Sequence, residues 1–124
     1  MKKVIIIDDE EDIVDLLTYH LDKNNFSVLA ISEPKTALRL VGSERPDFVI
    51  VNYLPQFGDK VHLCKNISQQ IDPNITSIIC LDSGSSSHEL HTYADMCLNF
   101  PLDPKVLIKK LNFLSQQKAN TTPG

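Results

Sequence analysis

The stretch VIIIDDEED, from Val4 to Asp12, decides the fold of this chain. Its apolar residues are followed by acids and then by the spacing of an amphipathic helix. An apolar run without alternation suits a parallel strand that helices cover on both faces. Asp8 and Asp9 then follow the carboxyl end of that strand, where adjacent carboxylates repel each other and lose solvation. Such a pair is typical of a site for a hard divalent cation.

Short apolar runs alternate with helical patterns along the whole chain. This alternation predicts an α/β protein with a flavodoxin-like (βα)5 doubly wound parallel sheet in the order 2-1-3-4-5. Ligands bind such sheets at the switch point between strands 1 and 3, so Asp8, Asp9 and Asn52 are expected to emerge together there. The predicted strands are Val4–Asp8, Phe26–Ile31, Phe48–Asn52, Ser77–Asp82 and Met96–Phe100.

Helices are predicted between these strands. The first buries a face that includes Leu16. The second has Ser32 as its cap, and Gly42-Ser43 and Pro46 stop it. The polar, turn-rich end of the chain predicts a domain over residues 1–117 and a disordered tail or linker start over residues 118–124. The predicted helices are Glu11–Lys23, a second from Pro34, Lys60–Gln70, a short His88–Tyr93 and a last one after Asp103.

Composition excludes several classes of protein. The 124 residues are 42% hydrophobic and carry a net charge of −4, which indicates neither a nucleic-acid surface nor a polybasic membrane patch. No apolar run is long enough to span a bilayer, so we predict a cytoplasmic protein. Three widely spaced cysteines inside apolar runs predict reduced core thiols.

Several motifs together resemble a response-regulator receiver domain over residues 2–116. They are the acid pair, the run PDFVIV before Asn52, a following LP and Pro101 after the last strand. In that family the acid pair and an acceptor aspartate bind Mg²⁺, and the acceptor attacks a phosphoryl donor. A hydroxyl residue after strand 4 and a lysine after strand 5 bind the phosphoryl oxygens.

Asn52 stands where the resemblance places the acceptor aspartate. Its amide is a poor nucleophile and forms no stable acyl phosphate. The loss of one negative charge also weakens a Mg²⁺ site. No cofactor is therefore expected to be required, and any Mg²⁺ binding is expected to be weak.

Other positions also depart from the family. Asp82 takes the hydroxyl position, where a carboxylate would repel a phosphoryl group, and Ser83 or Ser85 could substitute only after a local shift. Phe100 replaces the lysine, with no lysine nearby before Lys105. An acidic pocket of Asp8, Asp9 and Asp82 without a fixed cation is expected. Two conformational positions complete the comparison: Cys97 at the place of the switch aromatic, and Pro101, whose bond to Phe100 the resemblance predicts to be cis.

These departures predict a degenerate, non-enzymatic receiver that acts as a phosphorylation-independent protein-interaction module in two-component signalling. The resemblance implies a histidine kinase, an effector or another signalling protein as partner, through helix 4, strand 5 and helix 5, and it allows a homodimer. Two alternatives stay open: an active receiver phosphorylated at a non-standard site, and a small flavodoxin-like ligand-binding domain. The run Gly84–Ser87 lacks a phosphate-loop pattern and is interpreted as a linker, and the pair His88 and His91 as part of a surface helix.

Overall fold

The computed structural model describes residues 1–52, 58–82 and 88–121. Strands and helices alternate throughout these residues, and the strands form one parallel sheet in the order β2-β1-β3-β4-β5. The predicted architecture and strand order are confirmed. The strands are β1 Lys2–Ile7, β2 Phe26–Ile31, β3 Phe48–Val51, β4 Ser77–Asp82 and β5 Met96–Asn99, and the helices are α1 Glu11–Lys23, α2 Pro34–Glu44, α3 Lys60–Ser68, α4 His88–Tyr93 and α5 Pro104–Thr121.

Successive side chains of a strand point to opposite faces of the sheet, and each face has its own core. On one face the strands pack against α1 and α5, with Val4 and Ile6 completely buried. On the other face they pack against α2, α3 and α4, with Ile5 and Ile7 completely buried. Burial on both faces explains why the strands read as continuous apolar runs.

The strand register places the ends of three strands in one row. Ile7 pairs with Val51, and Val51 pairs with Cys80. The next residues along these strands are Asp8, Asn52 and Leu81, so they meet at the carboxyl edge of the sheet. This edge is the switch point at which the sequence predicts a site.

Helix α2 differs from the sequence prediction at its cap, and it passes Gly42-Ser43 but ends before Pro46, as predicted. Its cap is Glu33, not Ser32, because the Glu33 carboxylate accepts hydrogen bonds from the backbone N–H groups of Lys35 (3.2 Å) and Thr36 (2.6 Å). The helix also continues past Gly42 to Glu44. It ends at Arg45, which adopts a left-handed conformation with φ 48°.

Two further predictions about helices were wrong. Leu16 was expected on the buried face of α1 but is 43% exposed, because Leu17 and Leu21 fill that face. Helix α5 runs to Thr121, so residues 118–121 are helical rather than a disordered tail. The Lys118 ammonium supports this extension by donating to the Pro73 carbonyl at 2.8 Å. The division of the chain at residue 117 stays a prediction, and residues 122–124 lie outside the described residues.

None of the helices in the described ranges combines the length and the apolar character that a membrane span requires.

Candidate functional site

The centre of the site is a buried hydrogen bond between Asn52 and Asp8, which are 4% and 3% exposed. The Asn52 amide nitrogen donates to Asp8 Oδ2 at 2.8 Å and to Glu10 Oε1 at 3.3 Å. Ionised carboxylates can only accept hydrogen bonds, so the amide must turn its NH2 group toward them. A neutral donor therefore lies between two acids, where a third carboxylate would be repelled.

Glu10 is a member of the site that the sequence analysis missed. The other oxygen of Asp8, Oδ1, accepts a hydrogen bond from the Glu10 backbone N–H at 2.9 Å. This local turn is typical of Asp, and it brings the Glu10 carboxylate back toward Asn52. The signal available in the sequence was the run DDEE itself, since an Asp at its start can turn the chain in this way.

Asp9 was expected beside Asp8, and the two residues line the same cavity. The side chain of Asp9 is exposed. It borders a cavity of about 310 Å³ on the β2 side of the site, which is lined by Asp8, Asp9, Glu11, Val14, Ala30, Ile31 and Ser32. The turn at Asp8 explains this position, because it directs Glu10 rather than Asp9 toward Asn52.

The predicted cation pocket of Asp8, Asp9 and Asp82 is not formed. Within residues 1–52, 58–82 and 88–121, no three His, Cys, Asp or Glu side chains are grouped so that they could hold a metal ion. Asp8 instead has both carboxylate oxygens engaged by N–H donors. Asp82 lies two strands away from Asp8 in the sheet, at the end of β4.

Asp82 and Phe100 lie together at the edge formed by β4 and β5. Asp82 is partly buried, and its backbone carbonyl accepts a hydrogen bond from the Phe100 N–H at 3.0 Å. The Phe100 side chain packs against the core on the α1 and α5 face and brings no charge to this edge. The Phe100–Pro101 peptide bond is cis, as predicted.

A lysine does reach this edge, although the sequence analysis expected none before Lys105. It is Lys60, the first residue of α3, and its ammonium donates to the backbone carbonyl of Leu81. Asp59 caps this helix by accepting from the His62 N–H at 2.7 Å. Side chains lean toward the N-terminus of a helix, so a lysine in the first turn of α3 points back over the carboxyl edge of the sheet.

The three cysteines are free thiols on the α3 and α4 face, with Cys80 opposite Cys97 on the neighbouring strand. A hydrogen bond with Cys64, followed by burial, raises the pKa of the Cys80 thiol. Burial, followed by the neighbouring Cys80 and Asp82, raises the pKa of Cys97 to about 11. Thiols with raised pKa values are poor nucleophiles near neutral pH, so this group is a packing feature. Cys97 is partly buried in that core, at the position predicted for the switch aromatic.

Two parts of the predicted site lie outside the described residues. They are the segment 53–57, which includes the LP pair, and the segment 83–87, which includes Ser83 and Ser85. The roles assigned to individual site residues by the resemblance stay predictions.

Comparisons with known proteins agree with this architecture. The family model described as response regulator receiver domain matches residues 4–112. The alkaline phosphatase synthesis transcriptional regulatory protein PhoP of Bacillus subtilis is 35% identical over 69 residues, which are 56% of this chain and 29% of that protein. The chain therefore matches less than a third of the length of this curated relative.

Solved structures support the same fold. Vibrio cholerae chemotaxis protein CheY4 is 24% identical with a TM-score of 0.80, over 90% of this chain and 97% of that one. A two-component response regulator from Clostridium difficile is 21% identical with a TM-score of 0.82, over 94% and 97% of the two chains. At these identities the likeness concerns the fold alone. The family's sequence pattern, however, extends over most of this chain, and the chain belongs to the response regulator receiver domain family.

Proposed function

We propose that this chain is a degenerate receiver that does not carry out phosphoryl transfer and acts as a phosphorylation-independent interaction module. The observation that carries the proposal is the hydrogen bond of 2.8 Å from the Asn52 amide to Asp8. It occupies the place where the family has its nucleophile, and it presents an N–H group instead of a carboxylate oxygen. An amide nitrogen in this position cannot attack a phosphoryl group to give an acyl phosphate.

The remaining phosphoryl-binding groups support the same proposal. A carboxylate at Asp82 repels a phosphoryl group, and the aromatic ring of Phe100 supplies no charge for its oxygens. One missing group can be compensated by others, but three simultaneous losses remove both the nucleophile and the stabilisation of the transition state.

Receiver domains in general bind Mg²⁺ at their phosphorylation site, and the residues present here do not fit that ion. Mg²⁺ requires oxygen ligands in a near-octahedral arrangement. Asp8 has both oxygens engaged, and Asn52 turns its nitrogen toward the pocket. Asp9 is exposed and lines, together with Asp8, a cavity on the β2 side of Asn52. We therefore propose a receiver whose resting arrangement does not depend on a metal.

Receiver domains interact with kinases and effectors in two-component signalling. For this chain we propose a histidine kinase, an effector or another cytoplasmic signalling protein as partner, bound through the surface of α4, β5 and α5. This surface would keep one geometry because no phosphate switches it. A homodimer through the same surface is the alternative arrangement, which sedimentation of the purified chain would detect.

The first prediction tests phosphorylation directly. The purified chain is incubated with acetyl phosphate and Mg²⁺, and its intact mass is measured beside a phosphorylatable receiver as positive control. We expect no mass gain in this chain. A gain of one phosphoryl group would contradict the proposal, and peptide mapping would show whether a non-standard acceptor is used.

Matched variants make the same experiment sharper. Asn52→Asp alone restores the nucleophile, whereas the triple variant Asn52→Asp, Asp82→Thr, Phe100→Lys restores all three family groups. We expect little phosphorylation of the single variant and clearly more of the triple variant. Full phosphorylation of the single variant would show that Asp82 and Phe100 do not oppose a bound phosphoryl group.

A further inference from the structure

We propose that the ammonium of Lys60 is the resident counter-cation of this pocket, a positioning residue that holds the carboxyl end of β4 against the start of α3. This inference deepens the proposed function and rests on it, because it names the group that keeps the pocket in one arrangement without phosphate. The sequence offers no cation at the family's lysine position, and Lys60 reaches the same edge from a different element.

The contact of Lys60 defines its position in the sheet. Its ammonium donates to the backbone carbonyl of Leu81, in a partly buried place and across 21 residues of sequence. Val51 pairs with Cys80, so the following residues, Asn52 and Leu81, are about 4.8 Å apart, which is one strand spacing. The Lys60 ammonium therefore lies beside Asn52, on the side of Asn52 that faces away from Asp8.

The charges around this ammonium are mostly acidic. Asp82 follows Leu81 directly at the end of β4. On the other side of Asn52 lie the carboxylates of Asp8 and Glu10. Asp82 and Asp8 are partly or fully buried and lie within about two strand spacings of the Leu81 carbonyl that Lys60 contacts, and charges this close are little screened by salt when they are buried.

Lys60 contacts the carbonyl of Leu81, and Cys80 and Asp82 are the residues on either side of Leu81 in β4. The hydrogen bond with Cys64, followed by burial, raises the pKa of Cys80, and burial raises that of Cys97; among the smaller effects Asp82 adds to both rises and Lys60 opposes them. A hydrogen bond to Leu81 alone would need only an N–H donor, whereas this arrangement favours a positive charge.

The test separates the charge of Lys60 from its hydrogen bond. Lys60→Gln keeps an N–H donor and removes the charge, while Lys60→Arg keeps the charge. Lys65→Gln is the matched control, since Lys65 is an exposed residue of the same helix. Melting temperatures are measured at pH 7 in chelator, together with Asp82→Asn and the double variant Lys60→Gln, Asp82→Asn.

We expect Lys60→Gln to lower the melting temperature by about 5 °C, Lys60→Arg to retain most of it, and Lys65→Gln to change it by about 1 °C or less. We also expect the double variant to melt no lower than Lys60→Gln alone. Once residue 60 is uncharged, removing the charge of Asp82 breaks no further interaction between the two positions. Additive losses in the double variant, or equal losses in Lys60→Gln and Lys65→Gln, would overturn the inference. No phosphodonor is present in this experiment, so its outcome is separate from that of the phosphorylation test.

Discussion

At the scale of the residue, Asn52 shows how an amide changes the hydrogen bonds that are possible at the end of β3. Asparagine and aspartate have nearly the same shape, but the amide nitrogen donates where a carboxylate oxygen would only accept. With Asp8 accepting at 2.8 Å, an aspartate at position 52 would place two carboxylates within hydrogen-bond distance. The amide at position 52 thus makes a buried hydrogen bond where a carboxylate would be repelled.

The prediction at this scale is that Asn52→Asp destabilises the protein in chelator at pH 7. The lost hydrogen bond and the new repulsion should lower the free energy of unfolding by about 1–3 kcal/mol, measured by urea titration. Asn66→Asp is the control, because it makes the same chemical change at an exposed hydrogen bond on α3. An Asn52→Asp variant as stable as the starting protein would contradict the assignment of this hydrogen bond as a stabilising contact.

The start of helix α2 is stabilised by the side chain of Glu33, the residue directly before it. The Glu33 carboxylate accepts from the backbone N–H and hydroxyl of Thr36 at 2.6 Å and 2.5 Å. These hydrogen bonds to Thr36 lower the pKa of Glu33 below its ordinary value of 4.5. A carboxyl group with a lowered folded-state pKa stabilises the protein above its unfolded pKa, and this contribution is lost as the pH falls through the folded pKa.

The prediction at the scale of the element is therefore pH-dependent. Glu33→Ala should lower the melting temperature measurably at pH 7, and the difference from the starting protein should shrink as the pH falls below about 4.5. Asp15→Ala, at an exposed position in the middle of α1, controls for the loss of a surface carboxylate. A difference that stays constant down to pH 3 would show that the ionised cap is not the cause.

At the opposite edge of the sheet, the last helix contacts the loop before β4. Lys118 on α5 reaches the Pro73 carbonyl, which precedes β4. Burial lowers the pKa of Lys118, while the carboxylates of Asp95, Asp72 and Asp47 oppose this effect. The end of α5 is therefore anchored to the loop before β4 rather than detached as a tail.

Truncation tests this anchoring. Removal of residues 118–124 should lower the free energy of unfolding by about 1 kcal/mol, the size of one hydrogen bond to a charged group that is partly exposed. Removal of residues 122–124 alone keeps Lys118 and serves as the control. Equal stability of the two truncated chains would restore residue 117 as the boundary of the folded unit.

The sequence by itself determined the sheet and the position of the site. The strands read as apolar runs because both faces of the sheet are buried, and the alternation with helices predicted the order β2-β1-β3-β4-β5 that the structure has. The location of Asp8 and Asn52 at one edge follows from this order alone. The periodicity of apolar residues is a local property that a single sequence carries, and the rules for connections between parallel strands then restrict the strand order.

Only the tertiary structure decided which side chains meet at that edge. The hydrogen bond from the Glu10 backbone N–H to Asp8 brings the Glu10 carboxylate to Asn52. The side chain of Asp9 remains exposed. Lys60 supplied the cation because the start of α3 lies over the end of β4, a contact across 21 residues that no spacing in the sequence indicates. Side-chain directions depend on packing and hydrogen bonds between distant segments, so the chemistry of this pocket could be read only from the folded chain.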